Sequence, residues 1–196
     1  VRDADILLVR SVTTVNAALL AGSSVRFVGS CTIGMDHVDT EWLDANGIGY
    51  ACAPGCNARA VVEYVLSALL ALQVPLDGSQ SVGVVGCGNV GGSLLRLLQD
   101  MQVPCRGFDP FLKAPDLPLT DFNTVLACNV VCLHTPLTRT GAHPTFHLFD
   151  AAVISQLKSG AVLLNTGRGA AIDNAALLAR LRDRDSLRAA PDAWEN

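Results

Sequence analysis

Residues 81–100, SVGVVGCGNVGGSLLRLLQD, leave the chain less choice of fold than any other stretch of it. An apolar run, VGVV, leads into glycines at 86, 88 and 91 in the spacing GxGxxG, and a helical leucine pattern begins at once. A strand that turns so sharply into a helix opens a βαβ unit, and each glycine has its own task there. Gly86 makes the tight turn. Gly88 lets backbone come close to a pyrophosphate, and Gly91 lets the helix lie against the strand. Asn89 and Val90 open the helix, whose unpaired N–H groups and positive end favour a phosphate. Asp109 closes the next strand, CRGFD, eighteen residues past Gly91. A carboxylate there accepts hydrogen bonds from the adenosine ribose and repels a 2′-phosphate, so the stretch predicts a Rossmann unit that takes NAD as cofactor rather than NADP.

The rest of the chain continues the alternation. DILLVR (5–10), VRFVGS (25–30) and IGYACA (48–53) read as strands, with TTVNAALLAG and DTEWLDANG as helices between them. After 81–86 come strands CRGFD (105–109), VVCLH (130–134) and AVLLN (161–165), with GGSLLRLLQDM and NAALLARLR as helices. Units of this length build an α/β fold, a parallel sheet with helices on both faces. Pro, Asp, Gly and Ser cluster in QVPLDGSQ (73–80), so two domains are expected, 1–78 and 79–196. NARAVVEYVLSALLAL (57–72) is apolar nearly all round in its second half, which predicts a helix buried on several sides. Arg59 and Glu63, four apart in its first turns, form a supporting pair.

Composition excludes several roles. A net charge of −4 without any basic run predicts no nucleic-acid partner. The most apolar stretch, YVLSALLAL (64–72), is too short to cross a bilayer, so no membrane association is expected. Seven cysteines make an odd count, and several lie inside apolar strand patterns. They read as free thiols packed as small hydrophobes in a reducing compartment, the cytoplasm, and no signal peptide is visible. CxxC spacing is absent, and no His or Cys spacing supports zinc, so no metal site is expected.

Ligands of open α/β sheets bind beyond the carboxyl ends of the strands. In the second series HTPL (134–137) and NTGRG (165–169) follow strands, which places Thr135, Thr166, Gly167 and Arg168 beside the nicotinamide half of a dinucleotide. Arg168, between two glycines that give clearance, is positioned to fork onto a carboxylate or carbonyl oxygen of a substrate. In the first series the strand ends carry RSVTTVN, SCTIGMD and APGCN. Ser11 and Thr13 there are either plain helix caps or part of an anion cradle.

GCGNVG, HTPLT and LKSGAVLLNTGRGAAID, in that order, resemble the D-isomer-specific 2-hydroxyacid dehydrogenases, and the resemblance runs over essentially all 196 residues. LLVRSVTTVN, FVGSCTIGMDHVDTEWL, APGCNARAVVEYVLSALL and GAHPTFHLFD (141–150) place it nearest the branch acting on 4-phosphoerythronate in bacterial pyridoxal 5′-phosphate synthesis. The resemblance implies a flavodoxin-like piece of a substrate domain ahead of the Rossmann domain. It implies oxidation of a small phosphorylated 2-hydroxy acid at its 2-hydroxyl, with hydride passing to NAD and 2-oxo-3-hydroxy-4-phosphobutanoate as product, in a homodimer. By motif it puts Ser11 and Thr32 against substrate and Asp109, Thr135, Thr166 and Asp192 against cofactor. Arg168 falls on the catalytic arginine.

The family also uses a histidine as proton acceptor, held by a glutamate in an EP pair just past a segment like DAWEN. Both are expected beyond residue 196, so the chain reads as an internal segment of a longer protein, inactive by itself. His37, His134, His143 and His147 read as structural, with His134 nearest to an exception. Pro191 stands where the family has an apolar strand residue, and a proline donates nothing to a ladder, so a bent or frayed strand is expected before Asp192. Two further functions stay open: another D-2-hydroxyacid dehydrogenase, such as one acting on phosphoglycerate, and a non-catalytic NAD-binding module.

Overall fold

A computed structural model describes residues 1–182 and 187–195. The chain divides into two compact units, Val1–Cys56 and Asn57–Asn196. Both are α/β with parallel sheets.

The first unit carries strands β1 (Ile6–Val9), β2 (Phe27–Ser30) and β3 (Gly49–Ala51), side by side in that order. Helices α1 (Ala17–Leu20) and α2 (Thr40–Ala45) contribute Leu20 and Leu43 to a core with Val9, Val15 and Val28. Helix α1 is far shorter than the pattern TTVNAALLAG predicts. Val15 is drawn into a bridge with Val38, and Asn16 takes an extended backbone while its side chain accepts from the Leu19 N–H at 3.3 Å. Pairing with another segment thus outcompetes helix over residues 13–16, and Asn16, not Ser11 or Thr13, is the cap.

The second unit holds a five-stranded sheet in the order β5-β4-β6-β7-β8. Its strands are β4 (Val82–Val85), β5 (Cys105–Phe108), β6 (Val130–Leu133), β7 (Val162–Asn165) and β8 (Arg188–Pro191). Every residue of β4, β6 and β7 is buried. That explains why these strands appear in the sequence as unbroken apolar runs rather than alternating ones: helices cover both faces. On one face α3 (Ala58–Ala71) and α4 (Asn89–Asp100) bring Val65, Leu69, Leu94 and Leu98 onto Val82, Val84 and Cys132. On the other, α5 (Phe122–Leu126), α6 (Ala151–Ser155) and α7 (Asn174–Arg182) bring Leu126, Ile154 and Leu177 together with Val131, Leu163 and Phe149. Because α3 packs its apolar stripe here, contacts divide the chain ahead of this helix, whereas the change in composition that suggests 78/79 lies behind it. The strand order reverses between β5 and β6 around β4, the place where open sheets of this kind bind ligands.

Pro191 neither bends nor frays β8. Arg188 N–H donates to Ala161 O at 2.9 Å and Asp192 N–H to Asn165 O at 2.8 Å. With a two-residue period, position 191 falls on the outward register, where no neighbour among the described strands needs its N–H. The proline costs the ladder nothing.

No described helix is long and apolar enough to cross a membrane. All seven cysteines are free, and burial pushes the Cys87 and Cys132 thiols up to about 12. Alkylation of native protein near pH 8, followed by peptide mass mapping, is therefore expected to label exposed Cys31 and Cys56 first and to spare Cys87 and Cys132 until the protein unfolds.

Candidate functional site

The three glycines after β4 are needed for three different reasons, each visible as what a side chain would meet. Gly86 has φ +84°, in the left-handed region, and a Cβ there would press on the His134 carbonyl and the Thr135 methyl at 3.0 Å. A Cβ on Gly91 would overlap the carbonyl oxygen of Gly86, so α4 can sit this close to β4 only with hydrogen at that position. A Cβ on Gly88 meets nothing within 4 Å. Gly88 is exposed, caps α4 without any side-chain hydrogen bond, and is followed by Asn89 and Val90 in the first turn. The orphan N–H groups of that turn lie open to an anion, and a side chain at Gly88 would fill the approach.

Asp109 follows β5 and braces the glycine loop. Its carboxylate accepts from the Cys87 N–H at 3.0 Å and, through the other oxygen, from the Phe111 N–H at 3.0 Å. Lone pairs remain on both oxygens for ribose hydroxyls. Beside it lies a cleft of about 370 Å³, walled by Val85, Phe108, Phe122 and Leu148 and edged by Asp109 and Thr135. Flat apolar walls with a few polar groups suit an adenosine. The residues present thus fit a dinucleotide: an open helix end for phosphates, a carboxylate for ribose and an apolar slot for the base.

Thr135 links this half of the edge to the arginine turn. It is buried, and its Oγ1 has no hydrogen-bond partner among the described residues. The methyl lies against Gly86 on one side, while on the other a Cβ at Gly167 would strike the Thr135 carbonyl oxygen at 2.6 Å. The glycine loop after β4 and the arginine turn after β7 therefore share one sheet edge, separated by Thr135 alone. Thr166 sits beside it, its N–H donating to Leu133 O at 3.1 Å and its Oγ1 lying 2.7 Å from His134 Nδ1.

Arg168 is half-buried, in an extended backbone conformation at φ −122° and ψ 136°. Its flanking glycines serve the protein's own chain rather than a ligand. Gly167 clears the Thr135 backbone, and a Cβ on Gly169 would overlap the Trp194 carbonyl. A 3₁₀ turn, Gly169–Ala171, separates Arg168 from α7, so the helix does not follow at once. Asn165 shapes this turn, and sequence reasoning passed it over. Its buried amide accepts from the Gly167 N–H at 3.0 Å and donates to the Arg168 carbonyl at 2.9 Å. A polar residue closing an otherwise apolar strand was the available signal. Asn165→Leu leaves the Gly167 N–H and the Arg168 carbonyl without this partner, and thermal unfolding should show a loss of about 2–4 kcal/mol.

Asp192 follows β8 and is exposed, tied to the edge by its backbone bond to Asn165. Three residues on, Glu195 has a partner that the sequence did not foretell: its carboxylate lies 2.8 Å from His147 Nε2. The His147 backbone N–H donates to Ala170 O, so the pair staples the 141–150 loop and the segment after β8 to the arginine turn. In the first unit Ser11 is exposed in a turn, and Thr32 belongs to a hydroxyl chain. Thr32 Oγ1 lies 2.8 Å from Ser30 Oγ, which lies 3.2 Å from His37 Nε2.

Residues 72–196 match the family model described as D-isomer specific 2-hydroxyacid dehydrogenase, NAD binding domain. The chain is 53% identical, over 197 residues and its full length, to an erythronate-4-phosphate dehydrogenase of Cellvibrio japonicus, and 52% identical over 200 residues to one of Saccharophagus degradans. It covers 52% and 54% of those proteins, so it spans about half the length of the curated relatives it matches. Among solved structures, a D-lactate dehydrogenase of Aquifex aeolicus complexed with NAD and lactic acid superimposes over 100% of this chain and 66% of its own at a TM-score of 0.81. At 21% identity that likeness speaks for the fold.

Proposed function

The chain belongs to the D-isomer-specific 2-hydroxyacid dehydrogenases, and from that premise we propose that it carries the NAD-binding part and the substrate-polarising arginine of an enzyme that oxidises 4-phosphoerythronate at its 2-hydroxyl. The product is 2-oxo-3-hydroxy-4-phosphobutanoate, and the step serves pyridoxal 5′-phosphate synthesis in the cytoplasm, in a homodimer. One observation supports this reading above the others: the dinucleotide loop and Arg168 lie on a single sheet edge, one residue apart across Thr135.

When bound, NAD supplies the hydride acceptor. The chain's own residues do the rest. Gly88 and the first turn of α4 receive the pyrophosphate, Asp109 holds the adenosine ribose, and Thr135, Thr166 and Asp192 hold the nicotinamide side. Arg168 grips the carboxylate and the oxygen that becomes the ketone, stabilising negative charge as the hydroxyl proton departs. Ser11 and Thr32 match the family's substrate-contacting positions by motif. The full-length protein, assayed for NADH formation with 4-phosphoerythronate, 3-phosphoglycerate and D-lactate, should favour the first substrate. A preference for either of the others moves the assignment to another branch of the family, and NADH binding without turnover of any of the three makes it a binding module.

Asp109 decides between cofactors. Asp109→Ala removes the ribose acceptor and the repulsion toward a 2′-phosphate together. The ratio of kcat/KM for NAD over NADP should fall by about 10- to 100-fold, since each lost or gained charged hydrogen bond is worth about 1.5–3 kcal/mol. An unchanged ratio would show that this carboxylate only braces the loop.

A further inference from the structure

His134 stands outside the roles assigned above, and its surroundings are unusual. It follows β6 directly, and Thr166 follows β7; the two strands pair with Leu133 opposite Asn165, so the side chains one step further meet across the strand ends. Nδ1 lies 2.7 Å from Thr166 Oγ1. Nε2 is buried and has no hydrogen-bond partner among the described residues. We propose that His134 is a positioning residue for Thr166: it donates from Nδ1–H to the Thr166 oxygen, and so leaves the threonine hydroxyl proton to be donated to the carboxamide oxygen of bound nicotinamide. The proposal rests on the NAD reading above.

The argument is one of counting protons. A neutral imidazole has one N–H, and the threonine hydroxyl has one O–H. With the ring proton on Nε2, a buried N–H would lack an acceptor among the described residues, and Thr166 would have to donate its only proton inward to Nδ1. With the ring proton on Nδ1, the bond is made, and what stays buried at Nε2 is a bare lone pair. Orphaned acceptors are tolerated more readily than orphaned N–H groups. Burial also pushes the His134 pKa down to about 4, which keeps the ring neutral and the choice of tautomer meaningful throughout the physiological range. The Thr166 backbone is fixed by its bond to Leu133 O, so the hydroxyl points from a rigid base. A donor in this place tells the two ends of a carboxamide apart, donating to its oxygen and refusing its NH₂ group. That sets which face of the nicotinamide ring looks toward substrate.

Two measurements on the full-length protein test it. Long-range ¹H–¹⁵N imidazole spectra should show one histidine, identified by its loss in His134→Asn, protonated at Nδ1 and unchanged between about pH 8 and pH 5.5, well above its depressed pKa. A proton on Nε2, or titration near the ordinary histidine value, overturns the proposal. In binding titrations, His134→Phe and Thr166→Val should each weaken NADH about tenfold, the effect of one lost hydrogen bond, and leave ADP-ribose, which has no nicotinamide, within about twofold. The double variant should be no weaker than either single one, and His134→Asn, whose amide N–H falls near Nδ1, should recover most of the affinity. Equal weakening of ADP-ribose, or additive losses, refutes the positioning role. Failure of the wild type to bind NADH would defeat the NAD reading instead, while the tautomer spectrum still reports on the His134–Thr166 bond.

Discussion

Arg168→Ala in the full-length protein is expected to lower kcat/KM for the 2-hydroxy acid by about 10²- to 10³-fold, as for the loss of a preorganised donor at a developing oxyanion. NADH affinity, read by fluorescence titration, should stay within about threefold, since the dinucleotide is held by the glycine loop, Asp109, Thr135, Thr166 and Asp192 rather than by the guanidinium. The guanidinium is placed by an unusually determined turn. Asn165 bonds the backbone on both sides of it, Gly167 passes the Thr135 backbone, and Gly169 passes Trp194. With the backbone fixed at that point, only the side-chain torsions of Arg168 are left to order when the guanidinium engages a carboxylate. Arg168→Lys keeps the charge but not the planar fork, and is expected to recover only part of the rate. If alanine weakened NADH as much as it slowed turnover, Arg168 would belong to the cofactor site.

Gly91→Val and Gly88→Val should fail in opposite ways. At Gly91 the added Cβ collides with the Gly86 carbonyl, so α4 must move off β4 and disturb the packing of Leu94 and Leu98. Overpacking of this kind typically costs about 1–3 kcal/mol or more, visible as a lower Tm, and NADH binding should disappear with it. At Gly88 a Cβ meets no protein atom within 4 Å, and φ, at −70°, lies outside the left-handed region. That variant should lose much less of its Tm than Gly91→Val and yet lose NADH affinity by about 100-fold, because valine fills the space where phosphate meets backbone N–H groups worth about 1.5–3 kcal/mol each. Equal Tm losses for the two variants would mean that Gly88 has a structural task the present geometry does not reveal.

Much of the second unit was legible because its signals are local. Apolar runs of four marked β4, β6 and β7, the glycine spacing marked the turn into α4, and both survive folding unchanged. Where the local signal met a competitor, it lost. Residues 13–16 have helical composition, but Val15 pairs with Val38 and the helix waits for Asn16. Short α5 and α6 carry too few residues for a helical period to stand out, although Asp121 and Asp150 cap them with hydrogen bonds to Thr124 N and Val153 N.

The arginine turn marks where the two kinds of information part. Sequence alone determined that an arginine would follow a buried parallel strand, on the edge where the glycine loop also ends, since strand direction and βα alternation leave no other place for it. Only the tertiary structure decided what the flanking glycines are for, because Trp194 and Thr135 reach them from distant parts of the chain. The same holds for Pro191, harmless in its register beside β7, and for Glu195, which found His147 across 48 positions of sequence. Patterns along a chain report the forces between neighbours. Which remote backbone fills a gap is set by how the packed layers close, and no window of residues contains that.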